Sequence, residues 1–133
     1  MTHYILYSDG AARGNPGPAG AGAVIFNDSG DVIEELRLYL GKTTNNIAEY
    51  KALLIGLKKL VELNASSAEV RADSELMVKQ LKGEYRVKHP NLIPLYQEAK
   101  LLIRQIPKFQ VKHVYREDNK HADRLSNEAI DQR

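Results

Sequence analysis

The amino-acid sequence predicts an α/β fold, a five-stranded mixed sheet flanked by helices in the order βββαβααβα. Three observations carry this expectation. The first forty residues read as strands separated by turn signals. From Asn46 the apolar period switches to that of a helix. Beyond it, short strand-like runs alternate with helical stretches, the pattern of strands joined in parallel by helical crossovers.

His3–Ser8 is rich in β-formers and stops at Asp9-Gly10. Residues 11–22 collect Gly, Pro and Ala, and Asn15-Pro16-Gly17-Pro18 is expected to form no regular element. Ala21–Asn27 is a second strand, Asp28-Ser29-Gly30-Asp31 a hairpin signal, and Val32–Leu40 the returning third strand. Ile47, Tyr50, Leu53, Leu54, Leu57, Leu60 and Val61 recur at helical spacing, with Thr44, Asn45 or Asn46 as N-cap and an end near Asn64. Ala68–Ala72 is a short strand, and Ser74–Leu81 a short helix closed by Gly83. A helix lies within Pro90–Ile106, Phe109–Tyr115 alternates as a strand, and Asp118–Asp131 is the last helix.

At 133 residues the chain fits one domain and leaves no room for a separate nucleic-acid-binding module. The absence of cysteine excludes disulfides, thiolate metal sites and cysteine nucleophiles. The N-terminus lacks a signal-peptide pattern and no segment has the run of about 20 apolar residues a membrane span needs. The expectation is a cytoplasmic monomer that does not engage membranes. With 19 basic and 17 acidic residues the net charge is only +2, so any nucleic-acid footprint must be local. The best run is Lys79, Lys82, Arg86 and Lys88, diluted by Glu84, which charge alone reads more readily as a solvated helix end followed by a loop.

Four acidic residues stand out by position. Asp9 and Asp73 sit at the carboxyl ends of strands, where open sheets of this kind gather ligands. If those strands are neighbours, the two carboxylates face each other across about 4.8 Å and call for a cation. Glu49 falls in the first turn of the long helix, with the small residues Ala52 and Gly56 on its face. Asp123 lies on a polar stripe, Asn119–Asp123–Asn127, beside an apolar one, Ala122–Leu125–Ala129. Each has an ordinary alternative: Asp9 a turn residue, Glu49 an acid favoured near a helix start, Asp73 an N-cap, Asp123 a partner for Arg124 or Lys120. Spacing alone does not choose.

The segments around these residues resemble the type 1 ribonuclease H family over nearly the whole chain. Tyr7–Gly22 is similar to its first motif, Thr43–Ala52 to its second, Arg71–Ser74 to its third and Ala122–Asn127 to its fourth. The resemblance implies a metal-dependent endonuclease that cuts the RNA strand of an RNA–DNA hybrid and leaves 5′-phosphate and 3′-hydroxyl ends. It implies that Asp9, Glu49, Asp73 and Asp123 hold two Mg²⁺ ions, for which Mn²⁺ can substitute. Oxygen ligands suit such hard cations, and two of them about 3.5–4 Å apart can clamp the attacking and leaving oxygens of an in-line displacement. It further implies that Gly10 and Gly14 let backbone approach the hybrid, that Asn15, Asn45 and Asn46 contact its minor groove or backbone, and that Thr44 contacts a DNA phosphate. Recognition of this kind reads shape and the 2′-hydroxyl.

Three departures from the family pattern stand out. Glu75 replaces a glutamine two residues after the third carboxylate. A loop histidine before the last carboxylate is not evident: His113 falls in a predicted strand, His121 reads as exposed, and Arg116-Glu117 resembles an alternative in which Arg116 is the auxiliary group. There is no Trp and no basic handle, so Lys79, Lys82, Arg86 and Lys88 are left to contact phosphates, with weaker and more salt-sensitive binding expected. Rival readings are a binding module that cuts poorly, an integrase-like DNA nuclease, and an α/β domain with unrelated acids.

Overall fold

The computed structural model describes residues 2–133. Strands β1 (His3–Ala12), β2 (Gly17–Asn27) and β3 (Val32–Thr43) form an antiparallel meander. β4 (Ser67–Ala72) pairs parallel with β1, and β5 (Lys108–His113) parallel with β4, giving the sheet order β3-β2-β1-β4-β5. The helices are α1 (Asn45–Glu62), α2 (Glu75–Leu81), α3 (Ile93–Ile103) and α4 (Lys120–Asp131), with a 3₁₀ turn at Arg116–Asp118. The expected order and mixed sheet are therefore what the chain adopts.

The sheet is covered on both faces. Leu6, Ile25 and Val70 of the sheet form the main core with Leu53, Leu57 and Leu60 of α1. A Cβ on Gly56 would lie 2.6 Å from the Leu6 side chain, so the glycine lets α1 settle onto the sheet. On the opposite face α4 rests on β2, and its expected apolar stripe, Ala122, Leu125 and Ala129, is buried. α1 is capped by Thr44, whose hydroxyl accepts the Ile47 N–H at 3.3 Å, and the chain turns away just past its C-cap Leu63, at Asn64 with φ 57°. Asparagine tolerates that left-handed conformation better than most residues. Among the described residues no helix is long and apolar enough to cross a membrane.

The strands are longer than the sequence predicts. β1 continues through Asp9 and Gly10 to Ala12, β2 begins at Gly17, and β3 runs to Thr43. The loop expected over residues 11–22 shrinks to four residues, 13–16. Its Gly and Ala residues read as loop by propensity, but Gly20 and Gly22 are the small residues on which α4 packs. Pro18 is tolerated because Ala12–Ala19 is the last β1–β2 rung; its carbonyl still accepts the Arg13 N–H at 2.8 Å. β5 stops at His113, short of Tyr115, and α4 starts at Lys120, two residues after the 3₁₀ turn.

Candidate active site

β1 and β4 are neighbours in parallel register, Ser8 opposite Ala72, so Asp9 and Asp73 emerge side by side at the end of the sheet. Asp9 is not a turn residue: it is paired with Gly22 inside the β1–β2 ladder. Asp73 is not a cap either, because the Ser74 hydroxyl caps α2 by accepting the Met77 N–H. Glu49 is the fifth residue of α1, so it lies in the second turn and not the first, and the helix start carries no acid at all. Its carboxylate accepts the backbone N–H of Gly10. A Cβ at Gly10 would stand 2.2–2.4 Å from the backbone of Ala48 and Glu49. Glycine there is what lets α1 bring Glu49 against the end of β1.

One carboxylate oxygen each from Asp9, Glu49 and Asp73 lies within 4.8 Å of the others. Asp123 lines the same hollow, of about 500 Å³, together with Gly10, Asn45, Asn46 and Arg116, but does not join the close trio. It pairs with neither Arg124 nor Lys120. Instead Asn127 Nδ2 donates to its side chain at 3.3 Å, while Arg124 reaches Glu35 and Glu128.

Asp9 and Glu49 are 6% and 8% exposed, and the consequence is electrostatic. Burial, then the charges of Glu49 and Asp73, push the Asp9 carboxyl up to about 9. Burial also pushes Glu49 up to about 8, against the Gly10 N–H, which favours its anion. Carboxylates packed this closely in a dry place repel, and a divalent cation relieves them. The donor set is all oxygen, which fits magnesium or manganese.

Two further residues belong to this site: Asn119, read from sequence only as a member of the polar stripe with Asp123, and Ser126, which was not singled out. Asn119 is 1% exposed, and its Nδ2 donates to the Ser8 carbonyl at 3.0 Å and reaches Asp73 Oδ2 at 3.4 Å. Ser126 is fully buried, with its hydroxyl 3.0 Å from Asp9 Oδ2. The signal was their spacing, four before and three after Asp123, which puts Asn119, the N-cap of α4, on the same side as Asp123 and Ser126.

The expected substrate residues divide between two neighbouring hollows. Asn46 lines both. Asn15, Thr44, Arg86, Lys88 and His89 line the second, of about 350 Å³. Asn15 Oδ1 accepts the Asn45 N–H at 3.1 Å and Asn45 Oδ1 accepts the Ala12 N–H at 3.0 Å, so these amide oxygens latch the β1–β2 turn to α1. Gly14 lies in that turn with φ +104, a backbone shape that favours glycine. Lys79 and Lys82 line neither hollow, and Lys79 is held at 3.0 Å by Glu75. Glu75 is thus turned into an ion pair along α2. Residues 82–92 form no helix, as the lack of a handle requires. His113 ends β5, packed edge-on to Tyr115. His121 is not exposed as expected: it is half-buried, hydrogen-bonded to Glu35 and edge-on to Phe26. Arg116, by contrast, lies beside the carboxylates and makes no ion pair among the described residues.

Fold and site together define the class, a ribonuclease H-like domain with an acidic centre at its strand ends. The reverse transcriptase-like family matches residues 7–129. Ribonuclease HI of Halobacterium salinarum is 39% identical over 125 residues, covering 94% of this chain and 63% of that protein. The N-terminal RNase H domain of the Mycobacterium tuberculosis protein Rv2228c, solved as a fusion with maltose-binding protein, superposes with a TM-score of 0.96 at 42% identity, over 99% of this chain and 96% of that one. LC11-RNase H1 in complex with RNA/DNA hybrid gives 0.92 at 43% identity, over 97% of each chain. The chain spans 35% of the full-length mycobacterial relatives. This chain belongs to the type 1 ribonuclease H family.

Proposed function

We propose that this protein is an endoribonuclease that hydrolyses the RNA strand of RNA–DNA hybrids, acting as a cytoplasmic monomer. The observation that carries the reading is the convergence of Asp9, Glu49 and Asp73 within 4.8 Å, with Asp123 on the rim of the same hollow. Those four carboxylates would hold two Mg²⁺ ions, or Mn²⁺ in their place. When bound, such ions supply an activated water and offset the charge on the leaving 3′ oxygen, so the products carry 5′-phosphate and 3′-hydroxyl ends. Glu49 keeps its place through the Gly10 N–H, and Asp73 through Asn119. The adjoining hollow, with Thr44, Asn15, Asn46, Arg86 and Lys88, offers amides, a hydroxyl and cations to the phosphates and sugar edges of a duplex. Arg116 supplies a positive charge beside the scissile phosphate and aids product departure.

The test is cleavage of an end-labelled RNA–DNA hybrid with Mg²⁺ or Mn²⁺, beside Asp9→Asn and an RNA–RNA control, with the product ends identified. Metal-dependent cutting of the RNA strand alone, lost in Asp9→Asn, is expected. Retained hybrid binding without cutting by either metal would make the protein a binding module instead.

A further inference from the structure

The Ser126 hydroxyl has two acceptors in reach, Asp9 Oδ2 at 3.0 Å and the Asp123 carbonyl at 2.8 Å. It has one proton to give. The Asp123 carbonyl is already supplied: Asn127 Nδ2 donates to it at 3.0 Å, and the Asn127 backbone N–H is its helical partner four residues on. A carbonyl has two lone pairs, and these two donors fill them. Once Asp9 is ionised, as a bound cation requires, its carboxylate is the stronger of the two acceptors and draws the Ser126 proton.

The placement of this serine is built into the sheet. Gly22 is the cross-strand partner of Asp9, and a Cβ on it would lie 2.5 Å from the Ser126 nitrogen. A Cβ on Gly20 would lie 2.2 Å from the Ser126 carbonyl oxygen. The two glycines seat α4 on β2 at Ser126, directly beside Asp9. Because Ser126 is fully buried, water cannot replace its hydroxyl without opening that seat.

We propose that Ser126 is a positioning residue for Asp9: its hydroxyl holds one carboxylate oxygen so that the other is presented to Glu49 and Asp73. The inference rests on the metal-binding role proposed above for these carboxylates. Partners of this kind, one step removed from the metal, typically change affinity or activity by about 10–100-fold when removed. Ser126→Ala is thus expected to weaken Mn²⁺ binding about tenfold. The metal concentration for half-maximal cleavage should rise by the same factor, while kcat at saturating metal and KM for the hybrid stay near the unaltered values.

The deciding measurement is calorimetric titration of the metal-free full chain with Mn²⁺. It compares the unaltered protein, Ser126→Ala, Ser126→Cys, Asp9→Asn and the Ser126→Ala/Asp9→Asn pair, with Tm recorded in chelator. Support is weaker binding in Ser126→Ala, intermediate binding in Ser126→Cys, and no further loss when Ser126→Ala is added to Asp9→Asn. A Ser126→Ala protein with lowered Tm but unchanged Mn²⁺ affinity would overturn the proposal, making the serine a packing residue. If Ser126→Ala does not fold, Ser126→Cys decides in the same way. Failure of the unaltered protein to bind Mn²⁺ would overturn the metal reading itself, and this inference with it.

Discussion

Asp9 and Glu49 show how a site can be costly to its own fold. Each carboxyl holds its proton more tightly when folded than when unfolded: Asp9 moves from 3.8 to about 9, and Glu49 from 4.5 to about 8. Between those limits the folded state binds more protons, so the stability of the metal-free protein falls as pH rises through that window. Tm in chelator is expected to be higher at pH 5 than at pH 8, and a flat profile would contradict the burial argument. Asp9→Asn removes a carboxyl that must take up a proton on folding and should raise Tm in chelator at pH 7.5, by about 2–8 °C for each kcal/mol recovered. Mg²⁺ should then stabilise the unaltered protein but not the variant. Arg116→Ala tests the cation beside the carboxylates. A hydrogen bond to a charged group is worth about 1.5–3 kcal/mol, so kcat/KM should drop by roughly one to two orders of magnitude while Tm is unmoved.

At the scale of elements, the site is assembled by two helices seated on opposite faces of the sheet through glycines. Gly10 receives the backbone of α1 and Gly22 that of α4. Adding a methyl at either overpacks a backbone contact, which costs about 1–3 kcal/mol or more, and Gly10→Ala should also displace Glu49 and abolish cleavage. Thermal melts and activity measured on the same samples check both effects. These seats explain what could be read from sequence and what could not. The helix over Asn46–Leu63 was legible because periodicity is a local pattern, whereas the neighbourhood of Asp9 and Asp73 depended on strand order and was fixed only by the pairing of β4 with β1. Residues 17–22 were read largely as loop because Gly and Ala look like loop until α4 is known to lie on them. Asp123 was legible by its polar stripe and by resemblance, and Asn119 as a member of that stripe, but the partners of Asn119 and the role of Ser126 come only from the distances to Asp73 and Asp9. The positions of Lys79 and Lys82 outside both hollows could not be read either, since a charge run does not say which way its members point.

For the molecule as a whole, charge is nearly balanced at +2, yet its sides are unlike. An acidic hollow adjoins one lined by Arg86, Lys88 and His89. Binding should therefore depend on salt through few phosphates. Arg86→Ala and Lys88→Ala should each reduce the slope of log affinity against log salt by about 0.9, whatever the hybrid sequence. Both slopes are measurable by anisotropy in the presence of Ca²⁺ or with an uncleavable hybrid. The order of the carboxylates along the chain has its own consequence. Asp9 is on β1, Glu49 on α1, Asp73 just after β4, and Asp123 on α4. During synthesis the ribosome releases the first three long before the fourth, and Ser126 arrives later still. While the chain is being made, the proposed centre therefore lacks its fourth carboxylate and the serine beside Asp9, and it is whole only once α4 docks on the sheet.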